Sequence, residues 1–409
     1  MKSQILCLAL LFAVSGCKES GLIFHCTMDP QCGDNGRCIA GYCAFPDDCP
    51  GGLRYDPSAG DHANECVASA DLGTAPVDMN SMQSADDLGI SDMTPAHVSV
   101  WKRYVISGIN MSAPSTVWGT NAHDLYSIAT DTTTMRDSIW HSQDGVNWTE
   151  QYAVPASGGN VSTIWGPNPQ RVFATGVHLL LQTTGDGSWA PPTSLFPANT
   201  DVTKVSSVFG WDTNNFYFSA LPGINGSPSS VFHVSPSGGA FEPIGANYPR
   251  LWGTGPSDIY GLVGGFLSPD PIGVYHSTGN GAWTSTTLPC PGVAGWGSSA
   301  TDAYILAICS LSANTTYQVY HSTGNNDWPT LPQASISTQG VLTFIYGASP
   351  TNIYIGGPVY HSSGDGNWTL DSTLNSMNDT VTGMWGPTSD TIFAIAYDSS
   401  KNPVMWIYQ

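Results

Sequence analysis

The chain carries 409 residues and a formal charge of -20, from 31 Asp and Glu against 11 Lys and Arg. A field of that sign repels phosphate backbones and anionic headgroups, which excludes nucleic acid as a partner. Charged residues supply only 10% of the chain beside 45 glycines and 11% aromatics, a balance that disfavours long surface helices and suits short strands joined by tight turns.

Lys2 opens the chain, and Ile5 to Val14 form an apolar run of signal-peptide length. The run is short of the roughly 20 residues a spanning helix needs. It closes on Ala13-Val14-Ser15-Gly16-Cys17. This stretch resembles the lipobox of bacterial lipoproteins, with Val14 where leucine is usual. The resemblance implies a signal peptide over 1–16, cleavage after Gly16, lipid (palmitate among its chains) on Cys17, and an anchored segment over 17–25. Each buried methylene is worth about 0.8 kcal/mol, so several acyl chains hold a protein that meets the membrane in no other way. Lys18 stands where aspartate would imply inner-membrane retention, and an outer-membrane lipoprotein facing the periplasm or the cell surface is expected.

Residues 26–66 carry Cys26, Cys32, Cys38, Cys43, Cys49 and Cys66 among glycine-rich turns. An even count in an exported chain reads as disulfides that stand in for a core, with 15 connectivities open. Zinc would want C-x2-C pairs with histidines at ligand spacing, and this stretch has neither, so no metal is expected. Asp29-Pro30-Gln31-Cys32-Gly33, Gly36-Arg37-Cys38 and Gly41-Tyr42-Cys43 resemble the EGF-like or Dickkopf-like modules of myxobacterial lipoproteins. From 67 to 96 the chain turns acidic and almost free of aromatics, with Asp71, Asp78, Asp86, Asp87 and Asp92. Such a segment reads as a disordered, self-repelling linker.

The rest, 97–409, repeats itself. An aromatic-glycine step precedes an apolar-aromatic pair: Trp118-Gly119 with Leu125-Tyr126, Trp165-Gly166 with Val172-Phe173, Phe209-Gly210 with Phe216-Tyr217, and Trp252-Gly253 with Ile259-Tyr260. Trp296-Gly297 with Ala303-Tyr304, Tyr346-Gly347 with Ile353-Tyr354, and Trp385-Gly386 with Ile392-Phe393 continue the series. A second landmark follows, as in Trp140-His141-Ser142 to Trp148, Tyr275-His276-Ser277 to Trp283, Tyr320-His321-Ser322 to Trp328, and Tyr360-His361-Ser362 to Trp368. A period of about 40 to 50 residues without helical periodicity predicts propeller blades of four strands rather than a solenoid. The last unit lacks its outer strand, and Val100 to Ile106 matches that strand at the other end. Pairing the two would close the ring and cover its edges. The expected fold is therefore an all-β, seven-bladed β-propeller behind a disulfide-rich module and a disordered linker. The blade pattern from Ser99 to Gln409 is similar to repeats of myxobacterial surface lipoproteins, and Ser142-Gln143-Asp144-Gly145 to Trp148 resembles the Asp-box hairpin of sialidase-like and sortilin-like propellers.

Equivalent histidines, His141, His233, His276, His321 and His361, fall one per blade, which suits strand-end hydrogen bonds better than a metal. The tryptophans are expected to fill the space between blades with their indole N–H groups bonded locally. Cys290 and Cys309 sit in neighbouring units as a candidate disulfide. A sialidase would grip a carboxylate with three arginines. Only Arg103, Arg136, Arg171 and Arg250 fall in the repeats, and none lies in that family's opening motif. No catalytic residue and no cofactor is assigned. The expected role is a monomeric, non-catalytic protein whose propeller binds a protein or glycan partner. The alternative is a polysaccharide hydrolase or lyase using loop acids such as Asp212, Asp258 or Asp270.

Overall fold

A computed structural model describes residues 37–39, 42–46, 53–55, 66–67 and 99–409, the last without 108, 132–133, 157, 177, 193–194, 198–200, 202–204, 221–229, 245–248, 264–272, 312–313 and 325. The cleavage site after Gly16, the lipidation site Cys17, the cysteines Cys26, Cys32 and Cys49, and the expected linker from 68 to 96 lie outside the described residues. The chain divides into two compact units, Met1–Thr94 and Pro95–Gln409.

In the first unit, β1 (Arg37–Ile39), β2 (Tyr42–Pro46) and β3 (Leu53–Tyr55) form an antiparallel sheet in that order. Arg54 bridges to Cys66, and the Val67 N–H donates to the Leu53 carbonyl at 3.0 Å. Ala44, Leu53, Tyr55 and Val67 make a small core. Cys38, Cys43 and Cys66 are each disulfide-bonded, which stabilises a unit with so little apolar area to bury.

The second unit is all-β among its described residues. β4 (Trp101–Val105) precedes a first sheet of β5 (Pro114–Asn121), β6 (Asp124–Asp131), β7 (Arg136–Ser142) and β8 (Trp148–Ala153). The second holds β9 (Thr163–Asn168), β10 (Arg171–Gly176) and β11 (Leu179–Thr183); the third holds β12 (Val205–Asp212), β13 (Asn215–Ala220), β14 (Ser230–Ser235) and β15 (Gly238–Pro243). The fourth runs β16 (Arg250–Gly255), β17 (Asp258–Val263), β18 (Gly273–Ser277), β19 (Thr284–Thr287), and the fifth β20 (Gly292–Ser299), β21 (Asp302–Ser310), β22 (Thr315–Ser322), β23 (Ala334–Thr338). The sixth has β24 (Phe344–Ser349), β25 (Asn352–Gly356), β26 (Tyr360–Ser362) and β27 (Thr369–Leu370). In the last, β28 (Thr380–Thr388), β29 (Thr391–Tyr397) and β30 (Pro403–Tyr408) are joined by β4.

The first strands of successive sheets pack on one another in the cycle β5, β9, β12, β16, β20, β24, β28 and back to β5, so the sheets stand radially around an axis. An apolar cluster lies between every neighbouring pair of sheets. Phe393, Met405 and Ile407 meet Leu125 and Trp148 across one such boundary, and Tyr126 and Ile139 meet Val172 and Leu181 across the next. Second strands are buried on both faces, which explains continuous apolar runs such as Val172-Phe173-Ala174 and Ile259-Tyr260-Gly261-Leu262.

The aromatic-glycine landmark has a physical cause. A Cβ on Gly347 would lie 2.2 Å from Cζ2 of Trp296, and one on Gly119 3.0 Å from Cζ3 of Trp385. The aromatic of one first strand thus rests over the glycine of the next, and the Tyr346 hydroxyl approaches Gly386 in the same way. Only hydrogen at that position leaves room for the ring.

Closure rests on β30, which pairs antiparallel with β4 from Tyr408↔Trp101 to Val404↔Val105. The Val100 N–H donates to the Gln409 carbonyl at 3.1 Å. Arg103 grips Asp379 with Nε to Oδ2 at 2.6 Å and Nη2 to Oδ1 at 2.8 Å, and Trp406 Nε1 donates to the same Oδ2 at 3.0 Å. The Asp379 side chain is fully buried.

Two expectations are corrected. Among the described residues the second sheet has three strands, not four, and a single bridge Gln182↔Ala190 stands where the outer strand would run. Pro191 and Pro192 follow, and without N–H groups they cannot extend a ladder. The indoles are also not all bonded locally. Trp189 Nε1 donates to Gln151 and Trp283 Nε1 to Glu242, each on the preceding sheet, while Trp148 Nε1 does stay local, bonding the Gly145 carbonyl. Cys290 and Cys309 are bridged, with Cα atoms 5.0 Å apart, tying the connection before β20 to β21.

Candidate binding face

In an antiparallel meander the turns from first to second strand and from third to fourth emerge at the same end, so every sheet contributes the first kind, and those with a continuous third-to-fourth connection the second kind, to one face of the ring. Strand register then sets a repeated cluster there. His141 stands opposite Tyr126, and the same pairing recurs for His233 with Tyr217, His276 with Tyr260, His321 with Tyr304, and His361 with Tyr354. The rings stack in Tyr217–His233 and Tyr304–His321, with centroids 4.0 and 4.2 Å apart, and meet at a tilt in the other three pairs. Each imidazole also bonds the residue that opens the second strand. His141 reaches Asp124 at 2.8 Å, His276 reaches Asp258 at 2.8 Å and His321 reaches Asp302 at 2.9 Å. Asn352 serves His361 and Asn215 serves His233, whose other nitrogen meets buried Glu242 at 2.8 Å. Thr120, Thr254 and Ser298 donate to the second oxygen of the three aspartates.

Burial alone would raise the Asp124, Asp258 and Asp302 carboxyls. The bonds from histidine and hydroxyl outweigh it and hold all three below the ordinary carboxylate range. Because the folded values lie below the unfolded value of about 3.9, their contribution to stability is complete above that pH and lost as pH falls through the folded values. Urea midpoints measured from pH 6 to pH 2 are expected to fall below about pH 4. An Asp124→Asn/Asp258→Asn/Asp302→Asn variant should flatten that fall, and an identical slope would remove these carboxylates as its cause.

The turn that leads from the third strand to the following tryptophan takes two forms in the first and fourth sheets, whereas the third sheet turns over Pro236 and Ser237 alone. Ser142 Oγ accepts the Gly145 N–H at 2.9 Å, and Asp144 Oδ1 accepts the N–H groups of Val146 and Asn147 at 2.8 and 2.7 Å. In the other form Ser277 accepts from Gly279, and Asn280 takes the place of Asp144 by accepting from Ala282. Gly279 and Gly281 sit at φ of 79° and 82°, conformations only glycine adopts cheaply. Around the Asp144 turn lies a polar hollow of about 420 Å³, lined by His141, Gln143, Asp144, Asn147, Thr149 and Gln151.

The second sheet breaks the pattern. At the histidine's register position stands Gln182, opposite Phe173, and Arg171 replaces the aspartate that opens the second strand. The Arg171 guanidinium lies 5.0 Å from the Phe216 ring centre and 5.5 Å from that of Phe173, with Nη1 donating to the Thr213 carbonyl at 3.2 Å. Burial draws its pKa below the usual arginine value. Both Arg171 and Gln182 line a cleft of about 530 Å³ between the second and third sheets, walled also by Thr184, Pro191, Leu195 and Val234.

Of the acids named for chemistry, Asp258 is consumed by His276 and Thr254, and Asp212 Oδ1 caps its own turn by accepting the Asn214 N–H at 2.7 Å. Asp270 lies outside the described residues. The arginines do not share one site: Arg171 opens a second strand at the turn face, Arg136 and Arg250 open a third and a first strand at the other end, and Arg103 is held by Asp379 on the outermost strand of the last sheet. Sequence reasoning missed the aspartate partners of the histidines and the place of Arg171. The signal for the latter is Leu181-Gln182-Thr183 standing where other units read aromatic-His-Ser.

No protein-family model and no curated protein matches the chain. Among solved structures it is similar to YCF48 bound to D1 peptide, at 11% identity and a TM-score of 0.52 over 75% of this chain and 96% of that one. It is also similar to the extracellular domain of BT4673 from B. thetaiotaomicron, at 10% identity and a TM-score of 0.52 over 75% of this chain and 39% of that one. At such identities the likeness speaks to fold alone, and with the closed cycle of radial sheets it makes the second unit a β-propeller.

Proposed function

We propose that the protein is a non-catalytic cell-envelope lipoprotein, anchored through Cys17 in the outer membrane, whose propeller binds a protein partner or a glycan in an adhesion or scaffold role. The observation that carries this reading is how the turn face uses its acids. Asp124, Asp258 and Asp302 are held ionised by histidine and hydroxyl groups, a structural use that leaves none of them free to donate a proton. The same face keeps an open cleft beside Arg171. A peptide held by the similar propeller of YCF48 favours a protein over a glycan. The lipobox-like Val14-Ser15-Gly16-Cys17 supports the anchor, and the outer-membrane address rests on Lys18.

The full-length protein is to be tested for binding to secreted proteins and to a glycan array, with reducing-end release assayed in the same wells. Saturable binding without product supports the reading; release of sugar overturns it in favour of the polysaccharide hydrolase or lyase. Palmitate labelling of cells is expected to mark the protein and to be lost in Cys17→Ser. Labelling that survives the substitution overturns the anchor.

A further inference from the structure

The second sheet departs from the repeat at the two positions that staple the first, third, fourth, fifth and sixth sheets to themselves; the last sheet, with Thr391 and Ile407 there, carries no charge in their place. The departure exchanges an anion-histidine pair for a cation and an amide, and both side chains face the cleft. Arg171 is also electrostatically out of place. In a chain of formal charge -20, it has no carboxylate partner among the described residues, whereas Arg103 holds Asp379 in a two-pronged pair. A guanidinium has five N–H donors in a planar fork, and among the described residues only the bond to Thr213 uses one here. The guanidinium rests over Phe173 and Phe216, which holds it in place for a planar acceptor.

We infer that this cleft is a carboxylate-binding site for an extended peptide segment of a protein partner, with Arg171 gripping the carboxylate and Gln182 beside it. The inference rests on the proposed binding role and narrows it to one chemistry.

A sugar acid fits the walls less well. Its ring would ask for an open aromatic face and a fringe of polar groups, but Arg171 itself covers Phe173 and Phe216. The walls are instead Pro191, Pro192 and Val234, with Thr184 at hand, which suits an apolar side chain next to the carboxylate. On the opposite wall Gly238 holds a φ of 117° with open space where a Cβ would be, so a peptide backbone can approach closely. The volume of about 530 Å³ is within the usual range for such sites.

The carboxylate could belong to a chain terminus or to an acidic side chain, and the test separates them. Full-length protein labelled with 15N-arginine is titrated with four probes while the arginine Nε–H signals are followed. The probes are N-acetyl-Ala-Leu as the free acid, the same dipeptide as its amide, N-acetyl-Glu-Leu-amide, and glucuronate. The Arg171 signal is assigned by its loss in Arg171→Lys, with the other arginine signals unmoved as proof that the variant folds. A saturable shift with the free acid and none with the amide supports a terminal carboxylate; a shift with the glutamyl amide supports a side-chain acid. In either case Gln182→Ala should weaken the response several-fold. No shift with any carboxylate, or an equal shift with the plain amide, overturns the site, and a response to glucuronate alone overturns the peptide. A secreted protein that binds the chain without moving the Arg171 signal would sink this inference and leave the binding role standing. A failed partner screen would sink the role itself.

Discussion

Asp379→Ala is expected to lower the stability of the propeller by about 3–5 kcal/mol, read as a fall in the urea midpoint at neutral pH. The substitution strands two groups at once. Arg103 loses both arms of its ion pair, and Trp406 loses the acceptor of its indole N–H, in a place where the carboxylate was fully buried. Leaving a buried donor unsatisfied costs about 1–3 kcal/mol by itself. Asp379→Asn should lose less, because the amide oxygen can still accept from Trp406. The double variant Arg103→Met/Asp379→Leu should recover much of the loss, since an apolar pair does not have to be neutralised. A double variant as unstable as Asp379→Ala would show that the damage comes from the stranded Trp406 N–H and lost packing rather than from the stranded Arg103 charge.

The second large effect concerns Cys290–Cys309. The bridge spans a sequence separation of 19, and closing a loop of that length in the unfolded chain corresponds to about 3 kcal/mol. The Cys290→Ala/Cys309→Ala variant is expected to unfold at lower urea by that amount. Reductant should bring the propeller's transition in the native protein down to the variant's midpoint and leave the variant's propeller transition where it was, whatever it does to the bridged first unit. A native midpoint indifferent to reductant would mean that this bond contributes nothing to stability.

The all-β fold is legible in the sequence because each landmark reports one contact made again and again. A ring needs a seat on the next first strand, so Trp296 demands Gly347 and Trp385 demands Gly119. The candidate site is only half legible. His141, His276 and His321 stand out by repetition, but their partners Asp124, Asp258 and Asp302 lie on a neighbouring strand and are identified only once register is known. Arg171 is harder still, because it belongs to no repeat. Its importance comes from what it displaces, and an exception is visible only against the completed pattern. The missing outer strand of the second sheet follows from Pro191 and Pro192, two residues whose effect could be stated in advance.

The seam between β4 and β30 also fixes how the ring would answer a mechanical load. Chain tension arriving from the N-terminal side enters at Trp101 and pulls on the outermost strand of its sheet. It would peel that strand from the Tyr408 end, breaking ladder contacts singly rather than all together. Two residues along, the peel meets Arg103, clamped to Asp379. The ion pair therefore sits where a tear would otherwise run, and adds a side-chain clamp to the ladder that holds the ring shut.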